Sequence, residues 1–96
     1  MSRRDVILDR HREAIRAVAA KHNASSIALA GSVARGADGP DSDCDFVCEF
    51  APGTTVIDVI GLEMDLVEML GCHVEVCSAR ALQAPYTSML DDAIRL

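Results

Sequence analysis

Only three residues of this chain are aromatic, although half of it is apolar, so any core must be built from Val, Ile, Leu, Ala and Met. No stretch reaches the 18 or so consecutive apolar residues of a membrane span, and no run of signal-peptide length follows Met-Ser-Arg-Arg. A cytoplasmic protein is expected. The four cysteines, Cys44, Cys48, Cys72 and Cys77, form no C-x-x-C pair, and no histidine follows at zinc-finger spacing. They read as small buried hydrophobes in a reducing compartment. There is no Walker-type Gly-Lys-Ser/Thr. Positive charge is also scarce: the formal net charge is −6. That argues against unassisted binding to DNA or RNA backbones, where clustered Lys and Arg must displace counterions. It suits a soluble protein or one with a basic partner.

What is present fits one domain spanning residues 1–96. A domain this small buries roughly 60–65% of its unfolded surface, so a partner covering an exposed apolar face would help it. From Arg4 to about His22 the pattern is an amphipathic helix. Ile7, Ala14, Ile15, Val18 and Ala19 recur at helical spacing, with Arg10, Arg12, Glu13, Arg16 and Lys21 opposite. Ile27 to Ala30 reads as a short buried strand, and Val33 to Ala37 as one helical turn closed by Gly36 or Gly39. A turn-rich stretch leads to a second strand from about Asp43 to Phe50. Thr54 or Thr55 caps a helix from about Val56 to Leu70, and Gly71 ends it. A third strand is expected at Cys72 to Cys77 and a last, weaker helix from about Tyr86 to Arg95. The order predicts an α/β sandwich.

The chemistry is concentrated in two segments. Gly31-Ser32 leaves a strand and enters a helical turn, which exposes backbone N–H groups without side-chain obstruction, and Ser32 adds a hydroxyl. Such a concavity suits phosphate oxygens, although the same turn is often purely structural. Asp43 and Asp45 are two apart on a predicted strand, so both carboxylates project from one face. Carboxylates that close repel unless a cation lies between them, and Mg²⁺ typically takes one or two carboxylates plus substrate phosphates. Cys44, Phe46 and Cys48 then face the core. In Val74-Glu75-Val76, alternation sends both valines inward and Glu75 to the other face. If that strand neighbours Asp43–Phe50, Glu75 joins the aspartates, and three acids could hold two metal ions. The bland alternative for Glu75 is a solvated strand residue. Asp41-Ser42-Asp43-Cys44-Asp45 also opens like a calcium loop, but Phe46 stands where that loop needs Gly and Pro52 where it needs Glu.

Gly31-Ser32-x-Ala34-Arg35-Gly36, followed by Ser42-Asp43-x-Asp45-Phe46-Val47, resembles the nucleotidyltransferase superfamily that includes DNA polymerase β. In particular the chain is similar to its minimal members, the MNT antitoxins paired with HEPN toxins in bacteria and archaea. The likeness covers nearly the whole chain. It implies a small nucleotidyltransferase fold: a mixed three- to four-stranded sheet with helices packed mainly on one face. It also implies that Gly31 and Ser32 hold the triphosphate of ATP, and that Asp43 and Asp45 hold one or two Mg²⁺ ions. Glu75 would stand where the family usually carries Asp. That departure adds one methylene, an offset of roughly an ångström, a scale of misplacement that can cost about a hundredfold in rate. Arg35 would reach phosphate or brace the loop against Asp38 or Asp41.

Relatives of this kind transfer AMP from ATP to a tyrosine hydroxyl of a HEPN ribonuclease toxin, so the resemblance implies a protein adenylyltransferase in a hetero-oligomer with such a toxin. Neither nucleic acid nor membrane is an expected partner. Two other readings stay open: an antitoxin that neutralises its partner sterically with a weak or vestigial metal site, and a small-molecule nucleotidyltransferase subunit. Tyr86, the only tyrosine, is a packing residue at a helix start or a self-modification site. His11, His22 and His73 are scattered, with His73 expected to be an ordinary strand residue. Met89, Leu90, Ile94 and Leu96 read as core or partner contact.

Overall fold

A computed structural model describes residues 2–39, 42–81 and 92–96. The N-terminal helix is one helical run in three parts: α1 (Arg3–Val6), a π-helical stretch (Ile7–His11) and α2 (Arg12–Lys21). Ser2 caps it, accepting from the Asp5 N–H. Ile7, Ile15 and Ala19 are buried as the periodicity requires, whereas Ala14 is exposed. The chain then runs through β1 (Ala24–Ala30), the short α3 (Gly31–Arg35), β2 (Cys44–Phe50), α4 (Val56–Leu70), β3 (Val74–Ser78), a 3₁₀ turn and β4 (Ile94–Arg95).

The sheet has the order β3-β2-β1-β4 and is mixed. β1 is antiparallel to β2 and β4, while β2 and β3 are parallel and joined through α4, as a parallel pair requires a crossover. The core lies between the sheet and the helices α2 and α4. Phe46, Leu29, Leu62, Leu66, Val74, Cys44, Cys48 and Ile15 are all fully buried there. This is the expected α/β architecture.

α4 has the predicted bounds because both its ends are chemically fixed. Thr55 accepts from the Asp58 N–H at 3.4 Å, and Asp58 accepts in return from the Thr55 N–H at 3.0 Å, a reciprocal capping box. At the other end Gly71 takes φ +67°, the left-handed conformation that closes a helix. Midway, a Cβ on Gly61 would lie 2.8 Å from the His22 ring. The bare glycine lets that ring rest on α4, where its Nε2 lies 2.6 Å from Asp65 Oδ2.

Two expectations need correction. The third strand begins at Val74 rather than Cys72, because the turn at Gly71 continues through Cys72 before pairing starts at Cys44↔Val74. The expected last helix does not reach Arg95. Ile94 and Arg95 form a strand against Leu29 and Ala28, using hydrogen-bonding groups that β1 would otherwise leave open at its edge. Ile94 and Leu96 pack against the core. Pro85, Tyr86, Met89 and Leu90 lie outside the described residues. The four cysteines are free; Cys44 and Cys48 are buried, Cys72 and Cys77 half-buried. Among the described residues, no helix is long and apolar enough to cross a membrane.

Candidate active site

β2 carries the centre of the site because its first half alternates, although Val47, next to Phe46 and Cys48, is buried too. Cys44, Phe46 and Cys48 are fully buried on the helix side, which turns Asp45 to the opposite face. Asp43 lies one residue before the strand. In the parallel register Asp45 pairs with Glu75, while Val74 and Val76 are buried on either side of the glutamate. The structure thus brings Asp45 and Glu75 together as neighbours on the open face.

Gly31 completes this arrangement. Ala30 pairs with Asp45 across β1 and β2, so the chain turns into α3 directly over the carboxylate. A Cβ at Gly31 would overlap Asp45 Oδ2 and stand 3.2 Å from its Cγ. Gly31 also has φ +68°, a conformation that costs other residues roughly 1–2 kcal/mol. Both observations demand glycine here. Ser32, half-buried, follows in the first turn of α3.

The electrostatics of the site are those of a cation receptor. Burial, then the charges of Glu75 and Asp43, push the Asp45 carboxyl above the ordinary aspartate range; Arg35 pulls the other way. Among the described residues no three His, Cys, Asp or Glu side chains converge as a ready-made metal cage. The donor set nevertheless fits Mg²⁺, being hard carboxylate oxygens that repel one another and a glycine-cleared space above Asp45. Asp43, Asp45 and Glu75 are the residues that would hold it.

Five contacts depart from expectation or were not legible in the sequence. Arg35 does not brace Asp38. Its Nη1 lies 3.7 Å from Asp92 Oδ2, with both side chains about half exposed, while Asp38 faces Arg3 at 3.9 Å. Asp41 lies outside the described residues. Arg3 and Arg4 act instead of Arg35 as loop holders: Arg3 donates to the Ser42 carbonyl at 2.7 Å and Arg4 to the Ala34 carbonyl at 3.3 Å. The N-terminal turn thereby ties down both segments of the site. Nothing in helical periodicity marks those two arginines, because their partners are 30 and 39 residues away. His73, expected as an ordinary strand residue, precedes β3 and sits 3.5 Å from Asp43. The signal for it is the register itself: a parallel pair that sets Cys44 beside Val74 also sets Asp43 beside His73.

A family model described as the nucleotidyltransferase domain matches residues 11–91. The chain belongs to that family and is a nucleotidyltransferase. A "putative protein adenylyltransferase" of Methanocaldococcus jannaschii is 32% identical over 62 residues, spanning 65% of this chain and 67% of that protein. Among solved structures, a "putative minimal nucleotidyltransferase" superposes with a TM-score of 0.84 at 35% identity, covering 100% of this chain and 97% of the other. A toxin-antitoxin crystal structure with AMP-PNP superposes with a TM-score of 0.74 at 18% identity, covering 88% of this chain and 71% of the other. At that identity the last likeness concerns the fold.

Proposed function

We propose that this chain is an Mg²⁺-dependent protein adenylyltransferase and the antitoxin of a HEPN-type ribonuclease toxin, working in the cytoplasm as one domain. The observation that carries the reading is the register pairing of Asp45 with Glu75 beneath a glycine turn that only glycine can make. The adenylyltransferase relative and the toxin-antitoxin structure with AMP-PNP support the choice of AMP and of partner.

In this reading the backbone at Gly31 and the Ser32 hydroxyl hold the triphosphate of ATP, and Arg35 adds positive charge beside it. Asp43, Asp45 and Glu75 hold Mg²⁺, which when bound neutralises phosphate charge and acidifies the attacking hydroxyl. The tyrosine oxygen of the toxin attacks the α-phosphorus. The bond to the bridging oxygen breaks, and pyrophosphate leaves with the electron pair. Glu75 serves as ligand or as acceptor of the phenolic proton. The toxin's own surface completes the acceptor side.

A transfer assay tests this directly. ATP labelled on the α-phosphate and Mg²⁺ are incubated with the chain and a genomically adjacent HEPN protein. Label on that protein, absent with the Asp43→Ala, Asp45→Ala double variant, is the expected result. A stable complex without label would replace this reading with the steric antitoxin. The lack of a converged three-acid cage among the described residues and the extra methylene of Glu75 are what favour that second reading. Label on a small hydroxylated molecule instead would mark a small-molecule transferase.

A further inference from the structure

The outer face of α4 is apolar and open. Ile57, Ile60, Met64 and Val67 are spaced three, four and three apart and are 80%, 50%, 67% and 39% exposed; Val56, at 72%, extends the stripe. The opposite side of the same helix is in the core through Leu62 and Leu66. A helix whose sequence is apolar nearly all round has two faces to cover, and here the sheet covers one. The spacing of the exposed residues is that of a coiled-coil seam.

The charges beside the seam select its occupant. α4 contains Asp58, Glu63, Asp65 and Glu68 and neither Lys nor Arg. Asp58 is used in the capping box, and Asp65 faces His22 and Lys21. Glu63 and Glu68 line the shallow depression formed with Ile60, Met64 and Val67. With the four seam residues in the core positions of a heptad, Glu63 and Glu68 occupy the flanking positions. Two copies of α4 laid parallel would set Glu63 against Glu68 of the second copy. Laid antiparallel, they would set Glu63 near its own counterpart. Like charges meet in both arrangements, which disfavours self-association through this face.

We propose that α4 docks an amphipathic α-helix of another protein, one with its own apolar seam and with Lys or Arg on the flanks. Such a helix buries the stripe and pairs with Glu63 and Glu68. Because α4 lies on the side of the sheet opposite Asp45 and Glu75, the bound helix leaves the carboxylate face open to nucleotide and acceptor. The inference does not depend on the adenylylation reading; binding and label transfer are separate measurements with separate failures.

The test uses the full chain and labelled synthetic peptides of about three heptads with Leu at the seam positions. One carries Lys and one Glu at the flanking positions, and binding is read by fluorescence anisotropy. The Lys-flanked peptide is expected to bind at least about tenfold more tightly, the sum of a few exposed ion pairs, and to weaken as salt is raised. The Ile60→Ser, Met64→Ser variant loses that binding. The Glu63→Lys, Glu68→Lys variant, altered only beside the seam, reverses the preference toward the Glu-flanked peptide. Failure of the Lys-flanked peptide to bind, or an unchanged preference in the charge-reversed chain, overturns the proposal. So does sedimentation showing a dimer that the seam variant dissolves, which would make a second copy the occupant.

Discussion

The two faces of β2 obey different rules. Toward the helices, Cys44, Phe46 and Cys48 are completely buried among Leu29, Leu62, Leu66 and Val74, and the packing leaves nothing polar to satisfy. Toward the open side, burial and then the charges of Glu75 and Asp43 raise the energy of the charged form of Asp45. One face lowers the free energy of the fold; the other spends some of that gain on a site. A strand that alternates between the two within single residues has to be held rigidly, and the apolar face does the holding.

The largest expected effect therefore comes from the buried side. Phe46→Ala removes the largest fully buried side chain and should cost about 3–5 kcal/mol. That is much of the roughly 5–15 kcal/mol that stabilises a typical domain. Urea denaturation should show a strongly lowered midpoint, or no folded baseline. A loss below about 1 kcal/mol would mean that the core is not anchored on β2.

Gly31→Ala comes next and acts on the other side. The new methyl meets the Asp45 carboxylate, and φ +68° is unfavourable for alanine, so a loss of about 1–2 kcal/mol is expected. Because Asp45 must move, nucleotide transfer should fall by more than the stability loss explains. Thermal melts and single-turnover transfer on the same samples separate the two effects; unchanged transfer would remove Gly31 from the site. Thr55→Ala is smaller and lies away from the acids. It deletes the cap that accepts from Asp58 N–H, which should cost about 1 kcal/mol by denaturation and leave transfer intact.

These differences also explain what the sequence could reveal. Periodicity and caps locate α4 closely, since Thr54 or Thr55 at its start and Gly71 at its end are local signals acting within a turn of the chain; the structure selects Thr55 and adds Asp58 as its reciprocal partner. Alternation likewise exposes both faces of β2 and the outward direction of Glu75. That Glu75 lies beside Asp45 required the parallel order of β2 and β3, a non-local fact that alternation alone could state only as a condition. Contacts with no local grammar were missed altogether: Arg3 and Arg4 holding the Ser42 and Ala34 carbonyls, and His73 beside Asp43. The expected terminal helix failed at Ile94 and Arg95 for the same reason. Helical spacing was a local cue, and the open edge of β1 outweighed it.

The smallest effect is the sharpest test of the contrast, because its sign is unusual. Asp45 has its pKa raised on folding, first by burial and then by Glu75 and Asp43. A carboxyl raised in this way contributes stability while it is protonated, below its unfolded pKa, and loses that contribution as pH climbs through the folded value. At neutral pH without divalent ions the ionised group is therefore a net cost, and Asp45→Asn should raise Tm. Solvent screening at this half-buried position keeps the gain small, the least of the effects considered. The difference should vanish as the pH is lowered below the usual aspartate range, where the wild-type carboxyl is neutral too. Millimolar Mg²⁺ should narrow it at neutral pH by stabilising the wild-type chain alone. A lower Tm for the Asn variant at neutral pH would show that Asp45 holds the fold together rather than straining it, and that the two faces of β2 do not differ in this way.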